Sequence, residues 1–99
     1  MNPKVKPYVV HKNEPHDVYV GRPSMWGNPF KIGKDGSRSD VIRKYVMWLR
    51  DRPELLARVP ELSNKVLGCH CAPNRCHGEV LSLLANGIYT IDELYQKVT

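Results

Sequence analysis

The chain has 99 residues, 41% of them hydrophobic and 25% charged. This suits one ordinary globular domain spanning 1–99, because two independent cores would not fit in that length. No apolar run approaches the roughly 20 residues needed to cross a bilayer, and Met1-Asn2-Pro3-Lys4 leads into no signal-like apolar stretch. A cytoplasmic protein with reduced cysteines and no membrane partner is therefore expected.

The first thirty residues read as extended. Tyr8-Val9-Val10 and Asp17-Val18-Tyr19-Val20-Gly21 are strand candidates, separated by the turn signal Asn13-Glu14-Pro15. The segment from Gly21 to Phe30 carries two prolines and two glycines and reads as an irregular loop. A helix is expected from Ser37, where Ser37 and Asp40 resemble a capping box. On its wheel Val41, Ile42, Tyr45, Val46, Trp48 and Leu49 share an arc opposite Asp40, Arg43, Lys44 and Arg50. Pro53 stops this helix and suits the first turn of a second one through Leu55, Leu56 and Val59. Pro60-Glu61-Leu62 reads as another short helical turn, and Asn64 as a turn residue. Lys65 to Cys71 is a strand candidate that Gly68 weakens. A helix follows from Glu79 to Asn86, with Gly87 as its C′ glycine. Thr90 and Glu93 mark the start of a last helix, whose Leu94 and Val98 face the core. The alternation predicts a small α/β layered fold, a short central sheet of Rossmann-like kind flanked by helices.

The net charge of +5 is unevenly placed. Residues 1–52 hold eleven Lys/Arg against five Asp/Glu, and residues 53–99 hold four against five. A basic half suits a nucleotide, a phosphorylated substrate or nucleic acid, and it equally suits a solvated surface.

Two segments offer chemistry. In Cys69-His70-Cys71-Ala72-Pro73-Asn74-Arg75-Cys76-His77-Gly78, strand alternation puts Cys69 and Cys71 on one face. Cys69, Cys71, Cys76 and His77 are the inventory of a Cys₃His zinc site, but nine residues close such a site only with strain, so no resident zinc is expected. Cys76, His77 and Gly78 instead sit where a helix N-terminus favours an anion and lowers a thiol pKa, with Arg75 adding charge. A third option is that the thiols are small buried hydrophobes and His77 caps the helix. In the other segment, Arg22 follows a strand and offers a planar fork to phosphate. Gly27 and Asn28 tolerate positive φ and close backbone approach. Trp26 and Phe30 either stack on a base or tuck into the core, while the loop presents Arg22 and Ser24.

Val18-Tyr19-Val20-Gly21-Arg22-Pro23-Ser24-x-Trp26-Gly27-Asn28-Pro29-Phe30 resembles the opening signature of a small domain-of-unknown-function family from bacteria and bacteriophages. Leu67-Gly68-Cys69-x-Cys71-x-Pro73-x-x-Cys76-His77-Gly78-Glu79-Val80-Leu81 resembles its closing signature, and the resemblance covers about residues 8–85. This chain departs in having His70 where an aromatic residue is expected and Glu79 where Asp is usual. The resemblance implies a common function for both signatures and their convergence on one site, but no activity. The Cys-x-x-x-x-Cys-His ending is also similar to that of an uncharacterised Rossmann-like family.

The expected function is binding of a nucleotide or phosphorylated small molecule, with or without turnover. Arg22 and Ser24 would hold the anion together with Cys76 and Gly78 at the helix start, Asn28 would orient the ligand, and Trp26 would stack. For catalysis, Cys69 or Cys71 is the nucleophile candidate and His77 the acid/base. The alternative is a zinc-stabilised module that binds nucleic acid or a host protein, with Cys69, Cys71, Cys76 and His77 as ligands.

Overall fold

The computed structural model describes residues 9–70 and 74–98. Strands β1 (Val9–His11), β2 (Val18–Tyr19) and β3 (Leu67–Cys69) form a three-stranded sheet in the order β1-β3-β2. Both outer strands run parallel to β3, with Val9 and Val18 each in register with Leu67. The helices are α1 (Arg38–Arg50), α2 (Pro53–Leu56), α3 (His77–Ala85) and α4 (Ile91–Val98), with a 3-10 turn at Val59–Leu62. The architecture is thus a small α/β domain with a short parallel sheet.

The parallel order requires the chain to leave the end of β1 and return to the start of β2 across β3. Gly68 makes that crossing possible. A Cβ at Gly68 would lie 2.7 Å from the His16 ring, so the connection passes directly over the middle residue of the central strand. The glycine that weakens the strand in sequence is the one that lets the sheet be crossed. Asp17 pins the crossing by accepting the Val66 N–H at 2.8 Å through its carboxylate. By strand alternation Leu67 and Cys69 face the other way. Both are fully buried, in the core with Val80 and Leu81 of α3.

The helix ends follow local chemistry. Ser37 caps α1 with a reciprocal box: its Oγ accepts from the Asp40 N–H, and the Asp40 carboxylate accepts from the Ser37 N–H at 2.9 Å. Aspartate reaches as well as glutamate would here. Thr90 and Glu93 repeat the device at α4. At the end of α3 the Gly87 N–H donates to Leu84 O and the Ile88 N–H to Leu83 O, with Gly87 at φ +72°. This pairing is a Schellman motif. The second helix is shorter than its apolar spacing predicts. It ends at Leu56, and Val59 begins the separate 3-10 turn.

Val41, Ile42, Tyr45, Val46 and Leu49 form the buried face of α1. This face packs on α3 and α4, and α3 packs on β3 and β1. No helix among the described residues is long and apolar enough to cross a membrane.

Candidate functional site

Because β2 and β3 are parallel, their carboxyl ends open at one edge of the sheet, and Arg22 and His70 follow those ends. In open α/β sheets this edge is where ligands collect. The first residue of α3 is fastened to the same edge: the His77 Nε2–H donates to the Val20 carbonyl oxygen at 2.7 Å. Tyr45 of α1 ties the two segments from a third side. Its ring meets the His77 ring edge-on at 4.9 Å between centroids, and its hydroxyl donates to Trp26 O at 2.8 Å.

Between these parts lies a cleft of about 340 Å³. Arg22, Lys31, Arg38 and Arg75 line it, and His70 and His77 add two imidazoles. Phe30, Ile32, Val41 and Ile42 supply apolar wall, while Asn28 and Cys76 complete the lining. Among the described residues no carboxylate lines it. The opening loop and the segment before α3 therefore share one concavity. Arg22, Asn28, Cys76 and His77 meet there, joined by Arg38 from the first turn of α1.

The guanidinium groups are held by backbone oxygens. Arg22 Nη1 donates to Asn28 O at 2.9 Å, and Arg38 Nη1 donates to Arg75 O at 3.0 Å. A carbonyl orients a guanidinium without cancelling its charge. Arg75 has a carboxylate partner, Glu79 at 3.5 Å, but both side chains are more than half exposed, so solvent screens that pair.

His77 is buried, and burial is the main cause of a pKa held below the ordinary value of 6.5. The nearby His70 and Arg22 push in the same direction, while the bond to Val20 opposes them. Near neutral pH the ring is therefore uncharged. With Nε2–H committed to Val20, its lone pair resides on Nδ1. Burial also raises the pKa of Tyr45, so its hydroxyl stays protonated and serves as a donor.

Several expected contacts take other roles. Trp26 is 4% exposed and belongs to the core, so Phe30 is the aromatic ring that lines the cleft. Asn28 is buried, and each end of its amide bonds the protein. Nδ2 donates to Val41 O at 3.1 Å, and Oδ1 accepts the Phe30 N–H at 3.0 Å. These two bonds make it part of the cleft wall. Gly27 and Asn28 do not use positive φ. Gly27 is needed for close approach instead, since a Cβ there would lie 3.0 Å from the Arg22 Cα. Ser24 Oγ accepts the Trp26 N–H at 3.3 Å and lies outside the cleft lining. Gly78 is buried where a Cβ would come within 3.2 Å of Val9. Cys69 is fully buried in the core. Cys76 is the N-cap residue of α3 and lines the cleft. Cys71 lies outside the described residues. Among those described, no three Cys, His, Asp or Glu side chains are grouped closely enough to hold a metal ion.

Arg38, Lys31 and Ile32 had no sequence signal as site residues. Arg38 follows the Ser37 cap, and a basic residue at a capped N-terminus is the one available hint, because the helix dipole favours the opposite charge there.

A family model described as "Domain of unknown function (DUF4326)" matches residues 6–87. That span includes both segments that form the cleft. The chain is also similar to an uncharacterized 12.4 kDa protein of the nrdA-td intergenic region of Enterobacteria phage T4. The two are 31% identical over 81 residues, covering 77% of this chain and 73% of the phage protein. No solved structure matches.

Proposed function

The chain belongs to the DUF4326 family, a domain of unknown function, and we propose that it binds a nucleotide or phosphorylated small molecule in the cleft between the 21–30 loop and the start of α3. One observation carries this reading. Four cationic side chains from three separate stretches line a single concavity, and no carboxylate among the described residues lines it. Such a surface repels itself when empty and gains when an anion enters. Charge-assisted bonds from guanidinium to phosphate are each worth about 1.5–3 kcal/mol net. The apolar wall of Phe30, Ile32, Val41 and Ile42 suits a ligand that is not phosphate alone. The Rossmann-like reading of the sheet rests on the same placement, with the anion beyond the carboxyl ends of parallel strands.

Arg22, Arg38, Arg75 and Lys31 would hold the anion, beside Cys76 at the N-cap of α3. His77, uncharged and with its Nδ1 lone pair available, is the acid/base candidate for any turnover. Cys69 is withdrawn into the core and takes no part in the proposed site.

Isothermal titration calorimetry with a panel of nucleoside mono-, di- and triphosphates tests the proposal. Saturable binding that Arg22→Ala weakens at least tenfold, with the fold intact by circular dichroism, supports it. Absence of heat across the panel, with the protein folded, contradicts it.

A further inference from the structure

We infer that the cleft takes a terminal phosphate monoester on a body the size of one nucleoside, and that Arg38 and Arg75 discriminate it from a phosphodiester. This rests on the phosphate-binding reading above and narrows its ligand class.

Size sets the first limit. At about 340 Å³ the cleft lies at the small end of ligand sites, which run from about 300 to 1,000 Å³. That suits one mononucleotide and is tight for a dinucleotide or a strand passing through.

Charge sets the second. Arg38, from the first turn of α1, and Arg75, from the segment before α3, meet at the cleft, where the Arg38 guanidinium donates to the Arg75 carbonyl at 3.0 Å. Arg22 is likewise tethered to a carbonyl, that of Asn28. Each guanidinium carries five N–H donors, and each tether uses one of them. On Arg22 and Arg38 several donors and the full charge therefore remain for a ligand, while Arg75 presents a guanidinium whose pair with the exposed Glu79, at 3.5 Å, is screened by solvent. A terminal phosphate brings a charge of about −1.5 to −2 and three acceptor oxygens. A diester brings a single charge and one fewer unesterified oxygen. A lining with three guanidinium groups uses the additional charge and oxygen, so it favours the monoester.

The body of the ligand has its own wall. Phe30 is half-buried and Ile32 half-exposed at the cleft. Aromatic and branched side chains so placed suit the flat face of a base.

The test compares adenosine 5′-monophosphate with adenosine 3′,5′-cyclic monophosphate by calorimetry, with adenosine and inorganic phosphate as controls. The two nucleotides share base and sugar and differ in whether the phosphate is a monoester or a diester. The open monophosphate should bind at least about tenfold tighter than the cyclic one, equivalent to about 1.4 kcal/mol. Arg38→Gln and Arg75→Gln should each weaken the open monophosphate more than the cyclic form, so that the ratio falls. Both positions lie outside the buried core, so the variants fold. Equal binding of the two nucleotides would overturn the inference and leave the phosphate-binding reading standing. Inorganic phosphate binding as tightly as the monophosphate would overturn the nucleoside part. If none of these ligands binds but other nucleotides do, the size limit is wrong. If nothing phosphorylated binds at all, the underlying reading falls with it.

Discussion

The two walls of the cleft are built by different rules. The 21–30 loop is fastened at several polar atoms. Asn28 is bonded on both sides of its amide, the Trp26 carbonyl takes the Tyr45 hydroxyl, and Ser24 takes the Trp26 N–H. Irregular backbone cannot satisfy itself as a helix or strand does, so side chains do it instead. In the facing segment that carries His70, Arg75, Cys76 and His77, the His77 ring is anchored on Val20 and against Tyr45, the Arg75 carbonyl takes the Arg38 guanidinium, and the side chains of His70 and Arg75 are exposed. One wall thus spends Ser24, Trp26 and Asn28 on shape and presents charge through Arg22, and the other presents exposed cationic groups beside the buried post of His77. Polar residues in a loop are no sign of a binding role until their partners are counted.

This contrast can be broken by substitution. The largest effect is expected at Trp26. Replacing a core indole with alanine should cost about 3–5 kcal/mol in urea denaturation. A ligand-contacting Trp26 would instead lower affinity with little change in stability. Asn28→Ala should come next, at about 1–3 kcal/mol, because it leaves the Phe30 N–H without its acceptor and removes the bond to the Val41 carbonyl. A loss of affinity with unchanged stability would return Asn28 to the role of ligand contact.

The post on the other wall responds to pH. His77 is held below the ordinary value of 6.5 in the folded state, so the unfolded chain takes up a proton first as pH falls. The stability it supports is intact above about 6.5 and declines as pH drops through its lowered folded value. Denaturation midpoints at about pH 8 and about pH 5 should differ accordingly, and His77→Gln should flatten the difference. An unchanged slope in that variant would show that His77 is not the titrating post. The smallest stability effect is expected at Arg75, where alanine should change stability by no more than about 0.5 kcal/mol. A larger loss would mean that its exposed pair with Glu79 is structural.

Local signals in the sequence were legible where the physics is local. Both capping boxes, the Pro53 break and the Gly87 terminus depend on residues a few positions apart, and all appear in the structure. The strand after Lys65 was also readable, although it spans only Leu67–Cys69; its central, parallel place comes from pairing with β1 and β2, which lie far away in sequence. Gly68 misled because its purpose, admitting His16, involves a residue more than fifty positions away. Trp26 was undecided for a similar reason, since an aromatic side chain packs and stacks equally well until its surroundings are known. Arg38 was silent because its importance comes from the Arg75 carbonyl, thirty-seven residues on. The convergence of the two segments was an expectation that the family resemblance implied. The parallel pairing of β2 with β3 is what brings their ends together.

That convergence is the central claim, and amide chemical-shift mapping tests it most directly. Uniformly ¹⁵N-labelled protein would be titrated with adenosine 5′-monophosphate while backbone amides are followed. The account predicts that amides of residues 22–31 and 75–78 shift together along one saturation curve with a single Kd. Shifts confined to one of these segments, or two curves with different midpoints, would contradict a single site shared by both walls.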